Sequence, residues 1–339
     1  MLAIDPELAA LLGPVDPRIQ AEEPKHVPTI AEARAYCEAF EVAPSKAYHE
    51  PLLPSENAYD VQDRKVPVDD GEITVRCIVP VVADERETFP VLVNMHGGGW
   101  SVGSVELDDY FLRKVAVDLK LSIVNVDYRL APECPFPTAV IDCLAALKWT
   151  ASNTALLKGD LSKGFLVCGH SAGANLAVVL AHEARDDPFF QGPGRQLTGQ
   201  IIREPLVIHP DAYPEKLKSE MRSMEENKHM PPLTRATADF VVGVYNPIRS
   251  DPRFSPLLYA SHRGLPHAFV QGMALDILRD DARVYAKALR EAGIECRHIE
   301  YPGVSHGFHY NYPAIKTAIK VREDLVQGIK WVLSKDSEA

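Results

Sequence analysis

Two hydrophobic textures alternate along the chain. Strand-like runs recur at 90–95, 122–126, 165–168, 200–209, 268–273 and 295–301, the first of them nearly all apolar. Between them, residues 107–119, 137–150, 172–185, 280–292 and 315–333 read as helices. In the last, Ile319, Val321, Leu325, Ile329, Val332 and Leu333 mark a stripe at helical spacing. A strand buried on both faces reads as an apolar run, and strands alternating with helices imply a mostly parallel sheet flanked by helices. Two earlier strands, 64–68 and 73–82, are joined by Asp69-Asp70-Gly71, so the sheet is expected to begin antiparallel. Pro67 cannot donate into a ladder, which puts the first of these strands at a sheet edge.

Two stretches break the alternation. Residues 1–55 are rich in Pro, Ala and Glu. Segments 6–12 and 29–40 can form short amphipathic helices, the second with only a rough stripe (Ile30, Ala33, Ala35, Cys37, Phe40). Pro14, Pro17, Pro24, Pro28, Pro44, Pro51 and Pro54 divide the segment, which reads as an arm packed on a body. Residues 209–247 carry Lys216, Lys218, Glu220, Arg222, Glu225 and Glu226, then Pro231-Pro232, and read as an inserted helical cap. The expected organisation is an N-terminal cap arm at 1–55, a body at 56–208 and 248–339, and an inserted cap segment at 209–247.

Composition narrows this picture only slightly. With 46% apolar and 24% charged residues in 339, the chain is an ordinary globular protein with ample core. The formal charge of −11 disfavours nucleic acid and anionic membrane surfaces as partners. The start, Met1 to Leu12, is acidic and contains Pro6, so no secretion signal is expected, and no apolar run is long enough for a membrane span. Cys37, Cys77, Cys134, Cys143, Cys168 and Cys296 form no C-x-x-C pair and read as reduced thiols of a cytoplasmic protein.

The chemistry begins at Gly169-His170-Ser171-Ala172-Gly173, which follows a strand and opens a helix. This is a G-x-S-x-G elbow, a sharp turn that lifts a serine above a sheet end. Such a motif arises by chance in roughly one chain in ten of this length, so other groups must support it. His96-Gly97-Gly98-Gly99-Trp100 follows the strand at 90–95 and reads as a loop whose N–H groups can approach a developing oxyanion. It lacks the Lys-Ser/Thr of a phosphate loop and the G-x-G-x-x-G of a dinucleotide loop. His306 lies between a strand and the closing helix, flanked by Gly303 and Gly307, and is the expected base; His309 is its neighbouring competitor, expected to face the helix start. Asp276 leaves the strand at 268–273 and is the expected orienting acid, while Asp280 and Asp281 suit the first turn of a helix. The order Ser, Asp, His is that of the α/β-hydrolase fold.

Together these motifs resemble the hormone-sensitive-lipase-like (family IV) carboxylesterases of the α/β-hydrolase superfamily. Asp127-Tyr128-Arg129-Leu130-Ala131-Pro132-Glu133 and Pro135-Phe136-Pro137 are similar to a signature segment of that family. Asp5-Pro6-Glu7-Leu8-Ala9 resembles its first cap helix, and Phe254-Ser255-Pro256-Leu257 the segment after its cap. The resemblance implies hydrolysis of a small-molecule ester through an acyl-serine on Ser171, with His306 and Asp276. It implies an oxyanion hole from Gly98, Gly99 and the Ala172 N–H, with Gly97 and His96 supporting the loop and Trp100 in the substrate pocket. It implies no metal, no cofactor and no stable membrane association, and leaves a homodimer open. Arg129, Glu133 and Asp127 read as structural. Two residues depart from the family pattern: His170 stands where Asp or Thr is commoner, and Ile277 where Pro is. His170 is expected to point away from Ser171. Short- to medium-chain acyl esters are the expected substrates. The alternatives are cleavage of a lactone, amide or carbon–carbon bond, and a non-catalytic small-ligand receptor like the gibberellin receptors, which resemble this family but lack the catalytic histidine.

Overall fold

The computed structural model describes residues 3–13 and 28–336. Pro14, Pro17 and Pro24 therefore lie outside the described residues. The strands are β1 (Tyr59–Val68), β2 (Gly71–Pro80), β3 (Val91–Met95), β4 (Ser122–Asp127), β5 (Phe165–His170), β6 (Gly199–Arg203), β7 (His267–Met273) and β8 (Cys296–Tyr301). They form one sheet in the order β1-β2-β4-β3-β5-β6-β7-β8. β1 and β2 form a hairpin, and β2 meets β4 antiparallel. Every later pairing is parallel. β1, with Pro67, is one of the two edge strands.

The helices are α1 (Pro6–Leu12), α2 (Ile30–Cys37), α3 (Ala43–His49), α4 (Asp109–Leu119), α5 (Thr138–Ser152), α6 (Ala172–Asp186), α7 (Ser223–Glu226), α8 (Arg235–Tyr245), α9 (Arg279–Glu291), α10 (Phe308–Asn311) and α11 (Lys316–Asp336). Successive strand residues face opposite sides of a sheet. Val91, Val93 and Met95 accordingly join Val167 and residues of α5, α6 and α9 on one face. Leu92, Leu166 and Cys168 join Phe111, Leu112, Leu325 and Ile329 of α4 and α11 on the other. This is an α/β-hydrolase architecture. None of the described helices is long and apolar enough to cross a membrane.

Two expectations need correction. The run at 200–209 is strand only through Arg203, because Glu204 takes a left-handed backbone (φ 52) and turns the chain out of the sheet. Pro44 does not break the arm. A π-helical turn, Glu38–Val42, links α2 to α3, and Pro44 sits in the first turn of α3, where its missing N–H costs little.

The signature segment acts as a brace. The Arg129 guanidinium donates to buried Asp142 of α5 (2.6 and 2.9 Å) and to the Asp69 carbonyl in the first hairpin (3.3 Å). Arg34 of α2 donates to Glu133 (2.7 and 2.8 Å), to the Ala131 carbonyl (3.1 Å) and to the Ser101 carbonyl (3.0 Å), fastening the arm beside the glycine loop. α1 is capped by Asp5, whose carboxylate accepts from the Glu7 and Leu8 N–H groups, and its Leu8 is buried with Tyr301, Val304 and Phe308.

Two glycines test the packing. A Cβ on Gly328 of α11 would lie 2.3 Å from the Phe269 ring of β7, whereas one on Gly243 of α8 meets nothing within 4 Å. Gly328→Ala is expected to destabilise by about 1–3 kcal/mol through overpacking, and Gly243→Ala to stabilise by up to about 1 kcal/mol through helix propensity. Urea unfolding curves measure both; equal shifts of the two midpoints would contradict this packing.

Candidate active site

The site is assembled where the parallel strands end. Ser171 stands between β5 and α6 with φ 54 and ψ −118, a left-handed backbone that side chains rarely adopt. The glycines on either side permit the turn. A Cβ on Gly169 would lie 2.1 Å from the Gly173 carbonyl oxygen, and one on Gly173 would lie 2.0 Å from that of Met95. The elbow therefore rests directly on the backbone where β3 ends and the glycine loop begins.

His306 follows β8 and reaches the serine. Its Nε2 lies 2.9 Å from Ser171 Oγ, and its Nδ1 lies 2.7 Å from Asp276 Oδ2. Asp276 is buried, and its other oxygen accepts from the Leu278 N–H (2.9 Å). Burial raises the Asp276 carboxyl above its usual range, against the pull of His306. Burial would lower His306, but the hydrogen-bonded Asp276 carboxylate outweighs it, with Glu204 and Glu41 adding, and lifts the imidazole to about 9. The structure thus joins Ser171, His306 and Asp276 in one relay.

The glycine loop lies against the elbow. Gly98 and Gly99 take φ 118 and 56. Among the described residues, the N–H groups of Gly98, Gly99 and Ala172 have no protein acceptor. His96 supports the loop from beneath: Nδ1 lies 2.7 Å from the Gly97 carbonyl oxygen, and the ring stacks on Tyr128, whose hydroxyl donates to the His96 carbonyl. Trp100 is buried, stacked on Tyr245 of α8 at 4.7 Å and tilted against Phe254. It ties the loop to the inserted segment, and Val241 of α8 sits where a Cβ on Gly99 would go, at 2.7 Å.

His170 has no bond to Ser171. Its ring packs on Gly97 and lies 5.2 Å from His306 and 5.4 Å from His309 between ring centres. Burial lowers its imidazole to about 4, against the pull of Glu204. His309 is buried in α10, with Nε2 3.1 Å from Glu204 Oε1. Asp280 and Asp281 do open α9, but they also accept from backbone N–H groups elsewhere: Arg222 and Ser223 for Asp280, Val207 and Ile208 for Asp281.

Sequence reasoning does not single out Glu204, which is 1% exposed and faces His170, His306 and His309. The available signal is Arg203-Glu204, two charges inside an apolar run. Beside it, the buried Arg203 guanidinium lies 3.5 Å from Asp108 and donates to the Tyr310 hydroxyl (3.3 Å), which donates to Asp108 (2.9 Å). His170, Glu204 and His306 place ligand atoms within 4.8 Å of one another. However, the His306 nitrogen that faces Glu204 is already bonded to Asp276.

A family described by its alpha/beta hydrolase fold matches residues 92–310. Over 335 residues the chain is 35% identical to an AB hydrolase superfamily protein of Schizosaccharomyces pombe, covering 98% of this chain and 94% of that one. It is 37% identical over 256 residues to the carboxylesterase NlhH of Mycobacterium tuberculosis, covering 73% and 75%. Among solved structures, vibralactone cyclase superposes with a TM-score of 0.92 at 38% identity, covering 99% of this chain and 96% of that one.

NMR titration of the ring protons is expected to show His306 changing near pH 9 and His170 only near pH 4. A His170 titrating near its unperturbed value of about 6.5 would contradict its burial.

Proposed function

The chain belongs to the α/β-hydrolase family of its hormone-sensitive-lipase-like branch, and from that premise we propose that it is a serine carboxylesterase. One observation carries the reading: a serine on a left-handed elbow within 2.9 Å of an imidazole that is itself 2.7 Å from a buried carboxylate. Ser171 Oγ attacks the acyl carbonyl while its proton passes to His306 Nε2. Asp276 keeps the other ring proton on Nδ1 and stabilises the imidazolium. The N–H groups of Gly98, Gly99 and Ala172 receive the oxyanion. The imidazolium then protonates the leaving alkoxide, and water repeats the sequence on the acyl-serine to release the acid.

The arm at 1–55 and the segment at 209–247 serve as caps over the body, and short- to medium-chain acyl esters are the substrates. The Trp100–Tyr245 stack and the Val241–Gly99 contact support this division, because they couple the inserted segment to the loop that meets the carbonyl. A second reading, lactone formation or opening, is favoured by the likeness to vibralactone cyclase. The same acyl-serine serves both directions: in formation a hydroxyl of the substrate replaces water as the second nucleophile, and in opening the lactone acylates Ser171 and water releases the hydroxy acid.

Ser171→Ala is expected to lower kcat on p-nitrophenyl butyrate by a factor on the order of 10⁶ with the fold intact by circular dichroism; parent-like turnover would refute the assignment. Because His306 lies above its ordinary value, its neutral form accumulates only as pH rises. kcat/KM should therefore climb through the alkaline range toward a midpoint of about 9, and a rate already flat at neutral pH would contradict the raised imidazole.

A further inference from the structure

The proposed relay needs one carboxylate, yet the site holds two. Glu204 is buried, its backbone is in the left-handed region, and its N–H is tied to the Gln271 carbonyl of β7 (2.8 Å). Oε2 accepts from the N–H of Gly307, the residue after His306, at 2.6 Å, and lies 3.5 Å from His306 Nδ1. Oε1 lies 3.1 Å from His309 Nε2 and 3.5 Å from His170 Nε2. Resting on the reading of His306 as the base for Ser171, we propose that Glu204 is a second positioning carboxylate for that base. It pins the histidine loop through Gly307 and sets a second anion beside Nδ1, where it can hold the ring when Asp276 cannot.

The surroundings favour this role over a purely structural one. A buried carboxylate requires hydrogen bonds and a compensating charge. Adjacent Arg203 is directed to Asp108 and Tyr310, so the close ion-pair partners of Glu204 among the described residues are three imidazoles. Burial lowers His170 and His309, leaving both rings neutral at neutral pH, whereas His306 is raised. Of the three imidazoles, His306 is the one raised above its ordinary value and able to carry charge opposite Glu204 at neutral pH, with the Arg203 guanidinium also acting on Glu204. The groups acting on His306 are Ser171 at the elbow, Asp276 after β7, Glu204 after β6, His170 at the end of β5, and Glu41 in the π-helical turn. When Ser171 gives its proton to Nε2, the imidazolium lies between Asp276 and Glu204.

The test compares kcat/KM–pH profiles of the full chain with those of its variants. Loss of the orienting acid from a single-acid relay costs about 10⁴-fold. Here Asp276→Asn is expected to lose no more than about 10²-fold, and Asp276→Asn with Glu204→Gln the full ~10⁴. Glu204→Gln alone should move the ascending limb to lower pH and lower kcat more than it changes KM, and Glu204→Asp should restore the limb part way. Two results would overturn the proposal: a loss of about 10⁴ in Asp276→Asn alone, or an equal fall at every pH in Glu204→Gln with the limb unmoved. If Glu204→Gln does not fold, Asp276→Asn decides, since it leaves Glu204 in place. The NMR midpoint of His306 in Glu204→Gln gives a readout that needs no turnover: a downward shift supports the role and an unchanged midpoint refutes it. A parent chain that hydrolyses no ester sinks the esterase reading instead, and leaves this titration standing.

Discussion

The Met95 carbonyl oxygen and Gly173 touch so closely that a Cβ on the glycine would come within 2.0 Å. That backbone contact seats the start of α6 on the end of β3 and fixes the height of Ser171 above the sheet. It also sets the serine beside the glycine loop, because the same stretch of β3 runs into His96 and Gly97. β3, β5, β6, β7 and β8 are parallel neighbours, so their carboxyl ends open along one edge. The loops leaving those ends carry Gly98 and Gly99, Ser171, Glu204, Asp276 and His306 in turn. In open α/β sheets this edge is where ligands bind.

Around the serine the protein buries carboxylates and imidazoles at close quarters, and burial acts on them unequally. It pushes Asp276 upward and His96, His170 and His309 downward, toward the neutral form in each case. His306 moves the other way because Asp276 accepts its Nδ1 hydrogen bond and Glu204 stands within 3.5 Å. Of the three clustered histidines His170, His306 and His309, one is thus set apart by its charge partners. His170, which departs from the family pattern, then has a physical place. It fills the space between Gly97, His306 and His309 as a neutral ring rather than acting on Ser171.

Much of this was legible in the chain because the informative residues have steric or positional causes. Three glycines after an apolar strand, and two around a serine, mark backbone approaches that any other residue would obstruct. The alternation of apolar runs and helical stripes gives the sheet and its two covered faces. The remaining features depend on tertiary contacts. Residues 204–209 keep a strand-like pattern because they are buried, not because they pair, so the left-handed turn at Glu204 left no mark. Pro44 read as a break because a π-helical turn, a rare conformation, absorbs it. Trp100, expected in the substrate pocket, also stacks on Tyr245, more than a hundred residues away in sequence, a contact that no local pattern announces. Asp280 and Asp281 carry the helix-start signal as expected. Their second task, holding the backbones of 207–208 and 222–223, depends on segments that no local pattern connects to them.

The proposed chemistry rests on Ser171 as a nucleophile made reactive by His306. The most direct measurement is peptide-resolved mass spectrometry of the full chain after exposure to a fluorophosphonate. One covalent adduct per chain is expected, on the peptide bearing Ser171, with its loss in His306→Asn. An unlabelled chain, an adduct on another residue, or undiminished labelling of His306→Asn would contradict it.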